Sequence, residues 1–331
     1  MGEGPIERRL QVGVEQAGRR LDQVLAEAFP EFSRSRLQAW IEGGHVRVDG
    51  GPRRARDKLR VGEEIRLEAI AERRVGCRAQ AIPLAIVFED EDILVVDKPA
   101  SLVVHPAAGN PDGTLQNALL HHAPQLERLP RAGLVHRLDK DTTGLLVVAK
   151  TLRAHRSLVE QLQRRDVHRE YRALVIGSLV AGGRVDAPLG RHPTQRTRMA
   201  VVSHGRPAVT HYRVLERFGA HTLLGVQLET GRTHQIRVHL AHIAHPLVGD
   251  PVYGGRARPP RGAGARLKTM LAQFPRQALH AAVLGLDHPA SGAPVRFESA
   301  LPSDLTDLLQ CLREETASEA DPAGLAGAAQ R

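Results

Sequence analysis

Between Gly133 and Thr151 the chain reads GLVHRLDKDTTGLLVVAKT, with His136, Arg137, Asp139, Lys140 and Asp141 set between two apolar runs. A simple turn there would be served by Gly, Asn or Pro. Flanked by Arg137 and Lys140, the Asp139 carboxylate would lie among opposite charges, and a carboxylate is a competent nucleophile toward an electrophilic sugar or base carbon. Taken alone, however, one Asp in a charged loop reads as a surface ion pair. DKDTT also sets Asp139, Asp141 and Thr143 at the spacing of the nucleophile motif of aspartate-based, magnesium-dependent phosphatases. That chemistry needs its first Asp at the C-terminal end of a buried parallel strand, whereas here the long apolar run, GLLVVAK, follows the loop. No acidic pair in the C-terminal half supplies a second magnesium ligand.

Other chemistries find less support. His234, His239, His242 and His245 recur within twelve residues, but no acidic or Cys ligand lies among them and HExxH is absent, so they read as helix histidines beside a polyanion site, and no metal is expected. GxGxxG and GxxxxGK are absent, which leaves no sign of a nucleotide cofactor. Cys77 and Cys311 match no metal or redox spacing and read as free thiols of a reducing compartment. MGEGPIERRL has no apolar signal core, and no run approaches the roughly 20 apolar residues of a membrane span. A cytoplasmic, monomeric protein without membrane contact is expected.

At 331 residues and 42% hydrophobic, the chain is large enough for a catalytic body with a small appendage. The formal net charge of +9 favours a polyanionic partner. It is concentrated centrally: residues 1–75 carry +2, residues 76–300 carry +11 and residues 301–331 carry −4.

The elements that must position the loop follow from periodicity. After an N-terminal arm (1–18), residues 19–41 predict two short helices, with Leu21, Val24, Leu25 and Phe29 on one stripe and Leu37, Trp40 and Ile41 on the other. Pro30 and Ser33 separate them, with Ser33 as N-cap. GGHVRVDGGPRR and IRLEA then predict a hairpin, completing a basic module over 19–71 with Arg34, Arg36, Arg53 and Arg54 on it. A linker (72–83) leads to a second domain (84–314), where strands outnumber helices and most successive strands are hairpin-like. That argues for an α+β fold with an antiparallel-rich mixed sheet. Within it, LAIVF, ILVVDK, GLLVVAK, REYRALVIG, PAVTHYRVLERF, HTLLGVQLET and the hairpin HAAVLGLDHPASGAPVRFESA predict strands, and helices fall near 114–123, 154–165 and 233–244. Loops 190–206 and 253–268 contain no acid and carry nine Arg or Lys, among them Arg196, Arg198, Arg256 and Arg258. Read as long unstructured loops, they suit a phosphate backbone. The tail from 315 has no apolar face and is expected to be disordered.

SRSRLQAWIEGGHVRVDG resembles the RNA-binding domain first seen in ribosomal protein S-four. VVDKPASLVVHPAAGN, RAGLVHRLDKDTTGLLVVAKT, REYRALVIG and LETGRTHQIRVHLAHIAHPLVGDPVYGG occur in an order and spacing similar to those of the RluA/RluD family of pseudouridine synthases. The likeness spans about residues 12–313. It implies isomerisation of uridine in RNA without a cofactor, with Asp139 as the essential carboxylate. It also implies Tyr171 as the pocket tyrosine, and Arg237, or less well Arg232, as the basic partner of Asp139. Arg137, with His136 beside it, would fill the gap left by a flipped nucleotide, and Ile236 and Leu240 would line the pocket. The target it implies is the loop of helix 69 in large-subunit (23S) ribosomal RNA, free or in an assembling subunit. A non-catalytic RNA-binding or ribosome-assembly factor on the same scaffold is the competing reading.

Overall fold

GLLVVA, residues 144–149, contains no polar position because both of its faces are covered. Leu146 and Val148 enter one apolar cluster, while Leu145, Val147 and Ala149 point into another on the opposite side of the sheet. In the computed structural model, which describes residues 5–29, 32, 34–70, 77–107, 109–195, 197–254, 259–260 and 262–320, the chain divides after residue 76 into two units.

The first unit comprises β1 (Pro5–Gln11), α1 (Leu21–Ala28), α2 (Arg34–Glu42), β2 (Val46–Val48), β3 (Gly51–Pro52) and β4 (Glu64–Ile70). Both expected helical stripes are buried, together with Val46, Val48, Ile65 and Leu67 of the sheet. The expected N-terminal arm is corrected, because Pro5–Gln11 pairs along its whole length with β4, so that the sheet runs β1-β4-β2-β3. The alternation in IERRLQ was too charged to read as a strand, although one covered face suffices for an edge. Pro30 and Ser33 lie outside the described residues.

The second unit is built on β5 (Ala85–Glu89), β6 (Ile93–Lys98), α3 (Leu115–His122), β7 (Thr143–Ala149), α4 (Leu152–Arg164) and β8 (His168–Ile176). It continues through β9 (Gly183–Asp186), β10 (Leu189–Arg191), β11 (Met199–Val201), β12 (Val209–Phe218), β13 (His221–Leu228) and α5 (Gln235–His242). It closes with α6 (Ala265–Gln273), β14 (Leu279–Asp287), β15 (Pro294–Glu298) and α7 (Ser303–Ala320). The main sheet runs β5-β6-β7-β14-β8-β13-β12-β9. Every neighbouring pair is antiparallel except β7 and β14, in agreement with an antiparallel-rich α+β fold. One edge of β14 serves two strands: His280 and Ala281 meet β7, and Val283–Asp287 meet β15. At that parallel contact Gly144 has φ +109°, and a Cβ there would lie 2.2 Å from the Ala281 carbonyl oxygen. Only glycine fits that approach.

Two expectations are corrected. Loop 190–206 contains the β10–β11 hairpin, with Gly190 opposite Ala200, so Arg191 rides on paired backbone. The expected tail also begins too early, since α7 continues through Ala320. Glu315 there accepts the Gly264 N–H, and Thr316 caps back onto the Leu312 carbonyl. Residues 321–331 lie outside the described residues.

Candidate active site

Asp139 sits in the loop that enters β7, and that loop is fixed from below by donors the chain buries for the purpose. Lys98, fully buried at the end of β6, donates its Nζ hydrogens to the carbonyls of Lys140 (2.8 Å), Pro99 (2.8 Å) and Leu102 (3.0 Å). Burial pushes its amine down to about 7 against the opposing pull of Asp141 and Asp139. Arg276 donates Nη1 to the Asp141 carbonyl at 3.3 Å, and Gln277 donates Nε2 to the Thr142 hydroxyl at 3.1 Å. The Val147 N–H donates to Nε2 of His136 at 3.0 Å, so this ring carries its proton on Nδ1. Burial, with Arg169 adding to it, lowers the His136 pKa to about 3. His136 is therefore a neutral strut of the loop that also lines the cavity.

The carboxylate is 16% exposed, neither turned into bulk solvent nor sealed beneath hydrocarbon. It lines a cavity of about 320 Å³ together with Tyr171, Arg137, Arg169, Arg232 and His234. That volume is at the lower end of the ~300–1,000 Å³ typical of small-ligand pockets. Of the two arginines left open by the sequence, Arg237 is the one in contact, donating Nη1 to Oδ2 of Asp139 at 3.0 Å. Its other nitrogens grip Asp250, Nε to Oδ2 at 2.7 Å and Nη2 to Oδ1 at 2.9 Å. Asp250 is buried; burial alone would raise its pKa, but the bonds and charge of Arg237 and the N–H groups of Tyr253 and Val252 hold it low. The same pair of carboxylates raises the Arg237 pKa against the opposing effect of burial. The partner of Asp139 thus comes from α5, 98 residues away, and not from Arg137 or Lys140, which are both exposed.

Tyr171 lies on β8 between Val226 of β13 and Ala281 of β14. Burial raises its phenol pKa, with the Arg169 charge opposing and the Asp139 charge assisting. Ile236 lines the cavity, whereas Leu240 is buried in the core beneath it. Arg232 stands at the cavity with its Nε donating to the Pro207 carbonyl at 3.4 Å.

The helix histidines separate into different tasks. His239 is buried between the Thr210 hydroxyl (2.9 Å) and the Ala187 carbonyl (2.9 Å), and His245 donates Nδ1–H to the Ile176 carbonyl at 3.0 Å. His242 is exposed, and only His234 faces Asp139. Among the described residues no group of three or more His, Cys, Asp or Glu is placed to hold a metal ion.

Asp250, Tyr253, His105 and the site role of His234 were not picked out from sequence. DPVY gave the only signal, an acid just before an aromatic in a loop already suspected. His105 lines the cavity with its Nε2 buried and without a partner. Burial, reinforced by Arg131 and Arg137, lowers its pKa to about 4.

In the first unit the expected cations are partly engaged. Arg34 pairs with the buried Asp22 at 3.1 Å, Arg53 with Glu63 at 2.9 Å, and Arg36 lies 5.1 Å over the Trp40 ring. The Arg54 N–H donates to Asp57 at 2.9 Å. Arg198 stacks 5.3 Å over Tyr253 and donates to the Val252 carbonyl. Arg196, Arg256 and Arg258 lie outside the described residues. No helix among the described residues is long and apolar enough to cross a membrane.

Residues 92–242 match the RNA pseudouridylate synthase family model, and residues 19–65 match the S4 domain. The chain belongs to the RNA pseudouridylate synthase family and is an RNA pseudouridine synthase. It is 60% identical over 310 residues to ribosomal large subunit pseudouridine synthase D of Pseudomonas aeruginosa, covering 94% of this chain and 97% of that one. The corresponding synthase D of Xanthomonas campestris pv. campestris is 57% identical over 305 residues, 92% of each chain. Among solved structures, human RNA pseudouridylate synthase domain containing 4 aligns with a TM-score of 0.54 at 28% identity, over 69% of this chain and 93% of that one.

Proposed function

We propose that this enzyme converts uridine to pseudouridine in large-subunit (23S) ribosomal RNA, in the helix 69 stem-loop, with Asp139 as the catalytic carboxylate. The substrate reading rests on the large-subunit synthases to which the chain is similar over nearly its whole length. The residue assignment rests chiefly on one observation, the 3.0 Å pair between Arg237 and Asp139 inside the cavity.

The isomerisation breaks the bond from ribose C1′ to N1, turns the uracil, and joins C1′ to C5; C5 loses a proton and N1 gains one, so nothing else is consumed. The detached base must stay in place between these events, which a closed pocket achieves by holding both fragments in one geometry. Arg237 occupies Oδ2 of Asp139, so Oδ1 meets the substrate, whether it adds to the sugar, adds to the ring or removes a proton to give a glycal. Tyr171 supplies a stacking face for the uracil and is assigned to take the C5 proton. Burial keeps its phenol protonated, and the Arg169 charge is what favours the phenolate that this step requires. Reaching the pocket requires the nucleotide to leave its stack, at a cost of a few kcal/mol. Arg137, exposed at the cavity, takes the vacated position by stacking and phosphate contact. Arg232 and Arg198, with Arg34, Arg36, Arg53 and Arg54 of the first unit, hold flanking phosphates, and Arg196, Arg256 and Arg258 are assigned the same task.

Incubation with unmodified large-subunit RNA, followed by carbodiimide mapping, tests the substrate, and Asp139→Asn tests the residue. The variant is expected to bind RNA as the wild type does and to form no pseudouridine. Turnover by Asp139→Asn removes the carboxylate from its role. Binding without any pseudouridine from the wild type favours the assembly-factor reading.

A further inference from the structure

His234 is a cavity residue that the isomerisation as derived leaves without a task. It stands at the N-cap position of α5 with φ +56°, a left-handed conformation in which His, like Asn and Asp, is enriched among residues other than Gly. Its Nδ1 lies 2.8 Å from the Tyr253 hydroxyl, and the rings meet edge to face at 76°. The Tyr253 oxygen already accepts the Met199 N–H at 2.9 Å. The arrangement that uses the phenol hydrogen has it donate to Nδ1, which places the imidazole proton on Nε2. Burial, with Arg237 and Arg137 reinforcing it and Asp139 and Asp250 opposing, lowers the His234 pKa and favours the neutral ring.

Nε2 then points a donor toward Oδ1 of Asp139 across 3.9 Å, too far for a hydrogen bond. The two atoms are close enough for one oxygen seated beside them, off the line that joins them and at hydrogen-bond distance from each, to accept from Nε2–H and donate to Oδ1. A hydroxyl does both, and in RNA the group nearest C1′ with that property is the ribose 2′-OH.

We propose that His234, its tautomer fixed by Tyr253, forms with Asp139 a subsite for the 2′-hydroxyl of the target nucleotide, accepting ribose and discriminating against deoxyribose. The proposal rests on the assignment of Asp139 as the carboxylate that meets the target nucleotide. Within it, the hydroxyl accepts from Nε2–H and donates to Oδ1, setting C1′ beside the carboxylate; no bond of the hydroxyl is broken.

The test compares full-length wild type and His234→Ala on a large-subunit RNA fragment whose target uridine carries either ribose or 2′-deoxyribose, with pseudouridine read by carbodiimide mapping. In the wild type the missing hydroxyl is expected to lower kcat/KM by about 10- to 100-fold, as for a lost hydrogen bond that leaves a buried partner unpaired. His234→Ala is expected to slow the ribose substrate by a similar factor, and deoxy substitution is then expected to cost it under about threefold more, because the two losses are one interaction. Full multiplication of the two effects overturns the subsite. Nitrogen-15 NMR of the wild type needs no folded variant: a neutral Nε2–H ring at His234 supports the proposal, and a charged or Nδ1–H ring overturns it. Absence of pseudouridine from the wild type on the ribose substrate overturns the underlying assignment, and this inference with it.

Discussion

Arg237 and Asp250 meet fork to fork, with both side chains buried and two parallel hydrogen bonds of 2.7 and 2.9 Å between them. The pair locks the guanidinium plane, which aims the remaining Nη1 at Asp139. Planar, bidentate recognition is what arginine does and lysine does not. Asp250→Asn leaves a buried cation half paired. Removing one partner of a buried pair costs about 3–5 kcal/mol; the substitution is expected to lower the urea midpoint and to reduce kcat by about a hundredfold or more, with KM for RNA nearly unchanged. Arg237→Lys, which keeps the charge, is expected to lose a comparable factor because one ammonium cannot reach both carboxylates in this geometry. Near-wild-type kcat in either variant would remove the bracing role.

Three histidines set the acid limit of the fold. Burial lowers the pKa of His136 to about 3, and those of His105 and His221 to about 4. In the unfolded chain each titrates near 6.5, so between about pH 6.5 and 4 the unfolded state binds more protons than the folded one. Stability is therefore full above pH 6.5 and declines as pH falls through that window. His221 lies on β13, is 2% exposed, and has an Nδ1 without a partner. His221→Leu is expected to flatten the decline between pH 6.5 and 4, by about 3 kcal/mol at the acid end. Urea midpoints measured at each pH check this, and parallel curves for the two proteins would refute it.

Much of this architecture was legible because one-dimensional signals sufficed for it. Period-two and unbroken apolar runs located β6, β7, β8, β12, β13 and the β14–β15 hairpin. The loop stood out by polar residues wedged between apolar runs, but Asp139 by itself read as a surface ion pair, and it was the family resemblance that singled it out. What stayed hidden depends on distant chain segments meeting. No local feature of HLAHIAHPLVGD says that Asp250 will lie beneath Arg237, nor that Tyr253 will orient His234. The neutral state of His136 is equally invisible, since its neighbours in sequence are charged and its acceptor role depends on Val147 in the following strand.

Gly144 makes the tolerance of the β7–β14 contact testable. A Cβ at this position would meet the Ala281 oxygen, nitrogen and carbonyl carbon at 2.2–2.7 Å, all of them backbone atoms that cannot rotate aside. Gly144→Ala is expected to destabilise the fold by about 2–4 kcal/mol and to shift the adjoining loop. Gly50 is a control, with φ +77° but nothing within 4 Å of its built Cβ; Gly50→Ala there costs only the backbone strain, about 1 kcal/mol. Equal losses for the two substitutions would show that conformation, and not close approach, governs position 144.

Arg276 ties the Asp139 loop to the closing helix. It is buried, grips Asp304 of α7 through Nε at 2.7 Å and Nη2 at 2.8 Å, and turns Nη1 toward the carbonyls of Asp141, Gln277 and Leu279. Asp141 is two residues from the carboxylate proposed as catalytic, so loss of the guanidinium frees the loop just beyond Asp139 while leaving the Arg237 contact in place. Arg276→Met removes this donor from three carbonyls, of which that of Gln277 keeps the Leu279 N–H, and a carbonyl left unpaired in the interior costs about 1–3 kcal/mol. Asp304→Asn keeps the cation and weakens only its orientation, since Asp304 is one-third exposed and water can replace part of the contact. The expected order of kcat is wild type, then Asp304→Asn at about a threefold loss, then Arg276→Met at about tenfold or more, with RNA affinity constant across the set. Loss of RNA affinity in parallel with kcat would show that α7 acts through the binding surface and not through the loop.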